Sequence, residues 1–231
     1  MLYSRMAMTF ASQLFDFYST LRPPNNLPAG VEVLYPQQKN EVLTVVKKFL
    51  EKYYSDQESR RLIIGINPGR FGAGVTGINF TAPRQLTGAL GIDHGFGNST
   101  ELSAEFIYEM ITAYGGPAAF YGDYFLTSVC PLGFTRKGLN LNYYDDNELL
   151  ASLKPFIVEN LQKQIAFGFK TDRCVCIGGE KNFKYLQSLN KEFRLFDEIV
   201  SVPHPRFIMQ YRRKTKGEFV QRYLEVLKEN V

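Results

Sequence analysis

Leu62-Ile63-Ile64-Gly65-Ile66-Asn67-Pro68-Gly69-Arg70-Phe71-Gly72 is the stretch from which the rest of the chain can be read. Residues 62–66 form a short apolar run that ends abruptly at a turn signal. That pattern fits a strand buried on both faces, as in a parallel sheet. Asn67-Pro68-Gly69 then breaks the strand. Glycines continue at Gly72, Gly74 and Gly77 and are expected to let a ligand approach the backbone. Phe80 follows them as an aromatic ring among small residues. An amide at the mouth of a strand, a glycine-rich turn and a ring beyond it suit a pocket for a flat ligand.

Outward from this stretch, apolar strands alternate with amphipathic helices. Phe10, Leu14, Phe17, Tyr18 and Leu21 recur at helical spacing until Pro23-Pro24 stops them. Residues 25–36 read as an irregular, proline-rich arm. Asn40 is expected to cap a second helix with Val42, Val46, Phe49 and Tyr53 on its apolar face. Residues 69–97 read as loops. Phe106, Ile107, Met110 and Ile111 mark another helix, closed by Gly115-Gly116-Pro117. Strands are expected at 124–129, 174–177 and 199–202. Helices are expected over 147–167, along Phe183, Leu186, Leu189 and Phe193, and along Phe219, Val220, Tyr223, Leu224 and Leu227.

This alternation predicts an α/β fold with three layers, α/β/α, around a central, mostly parallel sheet of about four strands. One domain over 1–231 is expected, with the helix and arm of 1–36 packed on it. Ligands of such sheets bind beyond the carboxyl ends of the strands. Asn67, Cys130, Gly178 and His204 each follow a strand and are therefore expected at one edge.

Composition sets the outer bounds. The 231 residues are 45% hydrophobic and 22% charged, an ordinary globular balance. A net charge of +4 permits nucleic-acid binding without demanding it. No apolar run approaches the roughly 20 residues of a membrane helix. Residues 1–11 lack a signal-peptide core, so the protein is expected in the cytoplasm, with no membrane partner. Cys130, Cys174 and Cys176 lack the spacing of a disulfide framework. Cys174 and Cys176 are read as pointing to opposite sides of a strand and so unable to share a metal.

Two further groups of residues carry chemistry. His204 stands between Pro203 and Pro205, which stiffen the backbone on both sides. A rigid imidazole at a sheet edge can donate a hydrogen bond to a leaving group that gains negative charge. Arg206, Arg212, Arg213, Lys214 and Lys216 interleave with Phe207, Ile208, Met209 and Tyr211. Apolar side chains among phosphate-binding cations suit a wedge into a base stack. Gly72-Ala73-Gly74-Val75-Thr76-Gly77 matches a dinucleotide string, but it lies in a loop with no helix clearly opening at it.

These elements resemble the uracil-DNA glycosylase superfamily, and most closely its single-strand-selective monofunctional members. The first motif of those members, G-M-N-P-G-P-F-G-x-x-x-T-G-V-P-F, aligns without a gap from Gly65 to Phe80. Ser128-Val129-Cys130-Pro131-Leu132 is similar to their N-x-C-P-L stretch, and His204-Pro205 with Arg206 to their H-P-S-P-R. The resemblance implies that Asn67 holds the water that attacks C1′ of the deoxyribose. It implies that His204 hydrogen-bonds the departing base and that Phe80 stacks on it. Ile66, Gly69, Phe71, Asn79 and Ser128 would contact the base. Arg70, Pro205, Arg206, Phe207, Arg212, Arg213 and Lys214 would meet DNA, with residues 206–211 as a loop that enters the duplex.

The family's base-reading asparagine falls on Ser128, whose hydroxyl lacks an amide's paired donor and acceptor. Deaminated or oxidised bases other than uracil therefore become substrates to consider. The implied activity is monofunctional base excision on DNA containing a damaged base, with base flipping, no cofactor, no metal and no obligate protein partner. Two other readings stay open: a non-catalytic DNA-binding protein on the same fold, and a nucleotide-binding doubly wound enzyme.

Overall fold

The computed structural model describes residues 8–229. Residues 1–7, part of the segment read for a signal peptide, lie outside it. In chain order the elements are α1 (Phe10–Thr20), β1 (Val31–Leu34), α2 (Asn40–Tyr53), β2 (Arg61–Gly65), α3 (Ala73–Thr76), α4 (Pro83–Gly88), α5 (Leu102–Tyr114) and α6 (Pro117–Asp123). They continue with β3 (Tyr124–Ser128), β4 (Gly133–Arg136), β5 (Leu139–Leu141), α7 (Asn147–Ile165), β6 (Lys170–Cys176), α8 (Gly179–Phe193), β7 (Glu198–Ser201), α9 (Pro205–Tyr211) and α10 (Lys216–Lys228).

The central sheet has the order β3-β2-β6-β7, and all its pairs are parallel. Helices cover both faces, so the expected three-layer α/β/α fold is what the chain adopts. Leu62, Ile63 and Ile64 are at most 1% exposed, as a strand covered on both faces requires. Gly65 pairs with Ser128, Ile64 with Cys176, and Cys176 with Ser201. This register brings the carboxyl ends of all four strands to one edge. The ladder runs on past the strands, since the N–H of Cys130 donates to the carbonyl of Ile66 at 3.1 Å. No described helix is long and apolar enough to cross a membrane.

Several sequence expectations need correction. The arm at 25–36 holds β1, which pairs antiparallel with β4, and β4 pairs with β5. This second sheet is missing from the sequence reading because its strands are three or four residues long and β5 is largely exposed. α6 is also missed. Lys39, not Asn40, holds the N-cap position of α2, and no side chain caps that end. α7 buries Leu149, Leu153, Ile157 and Leu161 while Leu150 and Ile165 stay half-buried. Cys174 and Cys176, two apart on one strand, share a face; both thiols are buried and desolvation pushes them up.

Arg60 ties the N-terminal helices to the sheet. Its side chain is 2% exposed. Nε donates to the carbonyl of Tyr121 at 2.8 Å, and the terminal nitrogens donate to Asp56 and to the carbonyls of Tyr53 and Glu58. Its guanidinium lies 4.9 Å from the Tyr54 ring centroid. Removing a buried cation from such a network leaves three carbonyls and a carboxylate with fewer partners. Arg60→Ala should therefore cost about 3 kcal/mol, measured by urea unfolding; a loss below about 1 kcal/mol would contradict this role.

Candidate active site

A cavity of about 430 Å³ opens at the carboxyl edge of the central sheet. Ile66, Asn67, Pro68 and Gly69 reach it from the end of β2, Ser128 from β3, Gly178 after β6, and His204 with Arg206 and Phe207 after β7. Asn79 and Phe80 line it from the loop after α3. Asn67 and His204, 137 residues apart in sequence numbering (204 − 67), thus share one cavity. Cys130 does not join them; it is fully buried beneath.

Asn67 is held by a segment the sequence reading did not include. Its Oδ1 accepts the N–H of Tyr143 at 3.1 Å, and its Nδ2 donates to the carbonyls of Leu141 and Pro68 at 3.3 Å. The segment is itself locked. Asp145 accepts the N–H of Asn142, and Asp146 caps α7 by accepting the N–H of Leu149 at 3.0 Å. The Tyr143 hydroxyl donates to Asn182 Oδ1 at 2.8 Å, and Asn182 Nδ2 donates back to the Gly65 carbonyl at 3.2 Å. The amide therefore has one orientation, with its nitrogen toward carbonyls and an oxygen lone pair still free.

Phe80 has φ 54°, a left-handed conformation unusual for a side chain of this bulk. Its ring packs against Gly65, where a Cβ would stand 2.7 Å from two ring carbons. The ring centroid is 6.4 Å from that of His204. Asn79 is 9% exposed, and the buried Tyr18 hydroxyl of α1 neighbours it and Thr127. Ser128 Oγ donates to the Cys130 carbonyl at 2.8 Å, so the hydroxyl is left with only its lone pairs to offer.

His204 is the N-cap of α9, and its Nδ1 accepts the N–H of Arg206 at 3.0 Å. Burial lowers its pKa from 6.5 to about 4, and the charge of Arg206 adds to the effect. The ring is neutral at pH 7. With Nδ1 used as acceptor, the proton sits on Nε2.

Not every expected residue reaches the cavity. Phe71 is 54% exposed and lies under the Arg70 guanidinium, 4.5 Å from its ring centroid. Arg70 itself is outside, with its guanidinium on the Gly138 carbonyl. Pro205 is buried in the first turn of α9. Arg212, Arg213 and Lys214 are exposed beyond α9 and do not line the cavity. Residues 206–211, expected as a loop, belong to that helix. The glycines after Asn67 admit protein atoms instead of a ligand. A Cβ on Gly72 would meet the Glu101 carboxylate at 2.2 Å, one on Gly74 the Gly69 carbonyl, and one on Gly77 Val42 and Val46. The short helix α3 does open in this loop, contrary to the sequence reading.

Residues missed by the sequence reading include Glu101, Ser103, Asn140, Asn142 and Tyr144, all in the cavity wall, where Gln210 and Tyr211 of the segment expected to enter the duplex join them. Among the described residues, Glu101 is the one carboxylate lining it. Burial pushes its pKa up, and the charge of Arg206 pulls it back. No local motif marks these positions; only the register of distant elements brings them here.

Two measurements test this geometry. Between pH 6.5 and about 4 the unfolded chain binds a proton at His204 that the folded chain does not. Stability should therefore fall as pH drops through that window. His204→Asn replaces the Nδ1 cap with an amide oxygen that can accept the same N–H without titrating, so its melting temperature should drop less between pH 7 and pH 4.5; an equal drop would refute the assignment. Gly65→Ala should leave a folded protein whose displaced Phe80 weakens binding of an abasic-site DNA, measured by fluorescence anisotropy against wild type. Wild-type affinity would show that the ring contact is unimportant.

A model of the uracil DNA glycosylase superfamily matches residues 51–228. The crystal structure of wild-type Pedobacter heparinus SMUG2 is similar over 96% of this chain and 97% of that one, at 42% identity and a TM-score of 0.93. A comparison with curated proteins finds no match. The matched region runs from the end of α2 to the end of α10 and includes every strand of the central sheet, the Asn67 turn and the His204 cap. The chain belongs to the uracil DNA glycosylase superfamily, and its likeness is to the single-strand-selective branch.

Proposed function

We propose that this protein is a monofunctional DNA glycosylase. It hydrolyses the N-glycosidic bond of uracil, or of a related deaminated or damaged base, after the nucleotide leaves the base stack. The observation that carries this reading is one cavity lined by both the Asn67 amide and the neutral imidazole of His204. Extrusion costs a few kcal/mol, least for mispaired or unpaired bases, which itself favours lesions.

In the cavity the C1′–N bond breaks and its electron pair leaves with the base. His204 donates its Nε2–H to the base as negative charge develops there. A neutral donor at this place avoids fixing a cation in the empty site. Water, held by the free lone pair of Asn67 Oδ1, adds its oxygen to C1′. As the C1′–O bond forms, one proton of that water is lost to solvent and the other stays on the new hydroxyl; His204 keeps its proton, and the base anion takes one from solvent. Phe80 stacks on the base, and Ser128 presents an acceptor to it.

An amide is a weak proton acceptor, so this design suits a base that departs readily. The cavity lining contains no lysine among the described residues, consistent with hydrolysis without a Schiff base. We read the chain as one domain, acting in the cytoplasm without cofactor or obligate protein partner.

The test is a set of oligonucleotides carrying uracil, hypoxanthine, xanthine or hydroxymethyluracil, single- and double-stranded, treated with alkali after incubation. At least one lesion should give an abasic site, and the rate should fall about 100- to 1,000-fold in Asn67→Ala while DNA binding persists. Folded wild-type protein that cuts none of them would overturn the proposal.

A further inference from the structure

The turn between β4 and β5 has two left-handed residues in succession, Lys137 (φ 52°) and Gly138 (φ 72°). Such a turn matches the twist of its strands and makes a rigid, tight hairpin tip. Leu139 follows at the tip and is 66% exposed. The Arg70 side chain grips the tip by donating to the Gly138 carbonyl, and the Arg70 N–H donates to Asn140 Oδ1 at 3.1 Å. The same guanidinium covers the exposed ring of Phe71. Two apolar groups and two cations thus stand together on a fixed scaffold.

The position of this cluster matters. Asn140, next to Leu139, lines the cavity, as does Gly69, next to Arg70. The cluster is therefore part of the cavity rim. Among the described residues neither Arg70 nor Lys137 forms an ion pair with an acid. A comparable pairing occurs on α9, where the Arg212 guanidinium lies 5.6 Å from the exposed Phe207 ring. Isolated apolar tips flanked by unpaired cations match a nucleic acid, whose phosphates and bases alternate; they lack the broad apolar area of a protein partner.

We propose that the hairpin tip at 137–139, with Arg70 and Phe71, is a second DNA-engaging element: Leu139 packs against the base stack beside the extruded nucleotide while Lys137 and Arg70 take flanking phosphates. This rests on the glycosylase reading only for the position of the nucleotide. Binding is therefore the readout, and turnover is recorded separately.

The experiment uses the full chain and duplex DNA with a tetrahydrofuran abasic analogue beside 2-aminopurine, titrated by anisotropy and fluorescence over a salt series. Lys137→Ala should flatten the slope of log K against log salt by about 1. Leu139→Ser should weaken binding roughly tenfold, as expected for losing a stack-inserted apolar group, and change the 2-aminopurine signal of the complex. Lys191→Ala, in the last turn of α8 far from the strand ends, should behave as wild type. Both sites are exposed, so melting temperatures should match. If Leu139→Ser and Lys137→Ala bind with wild-type affinity and salt slope, the hairpin proposal is overturned and the glycosylase reading stands. If they lose binding as stated while wild type excises no base, the hairpin proposal stands and the glycosylase reading falls.

Discussion

The N–H of Tyr143 pointing at Oδ1 of Asn67 is the contact on which the site depends. An asparagine at the end of a strand is free to turn, and its two ends are chemically opposite. Here one end accepts a backbone N–H and the other donates to backbone carbonyls, so rotation by half a turn would set like against like. The amide is fixed by residues 76 positions away along the chain. Those residues are fixed in turn by a helix cap at Asp146 and by the hydrogen bond from Tyr143 to Asn182. Under the glycosylase reading, preorganisation of this kind would let a weak group direct water without reorienting during the reaction.

Close packing serves the same end. Proteins pack as densely as organic crystals, and here the density is spent on glycines. Phe80 lies on Gly65, the Pro68 carbonyl on Gly133, and the Glu101 carboxylate on Gly72. Each is a place where a side chain would displace a group of the site. The left-handed backbone at Phe80 is a local cost offset by the ring's contact with β2. His204 follows a related logic. A histidine in the open would be part-charged near neutrality; as a half-buried N-cap beside Arg206 it stays neutral, and the backbone fixes which nitrogen holds the proton.

The central sheet was legible in the sequence because its strands are continuous apolar runs with turn signals at their ends. Parallel pairing then follows from the intervening helices, and the convergence of Asn67, Gly178 and His204 follows from parallel pairing, while Cys130, expected with them, is buried and does not line the cavity. The second sheet was not legible. Val31–Leu34, Gly133–Arg136 and Leu139–Leu141 are short; the last two form a local hairpin, and only the pairing of that hairpin with Val31–Leu34 is long-range. That sheet supplies Leu141 and leads into Tyr143, so the sequence named the amide and missed what holds it. The glycines after Asn67 were noticed but misread, since glycine marks close approach without saying what approaches. Glu101 stood in a polar loop with no pattern around it, and only its contact with Gly72 and its facing charge on Arg206 give it meaning.

Ser128 bears on what the cavity reads. Its hydroxyl proton is committed to the Cys130 carbonyl, so toward a ligand it offers an oxygen lone pair and nothing else. An asparagine at that place would offer a donor beside an acceptor and so match one edge of one base. With a lone acceptor, the edge is read less completely, and any flat base with an N–H in that direction satisfies it. Discrimination then passes to the other amides of the wall, Asn79, Asn140, Asn142 and Gln210. Asn79 is buried among groups of the sheet and of α1, while Gln210 rides on exposed turns of α9. The buried amide is suited to reject by shape and the exposed one to accommodate. Under the glycosylase reading, such a wall favours a range of deaminated bases over uracil alone.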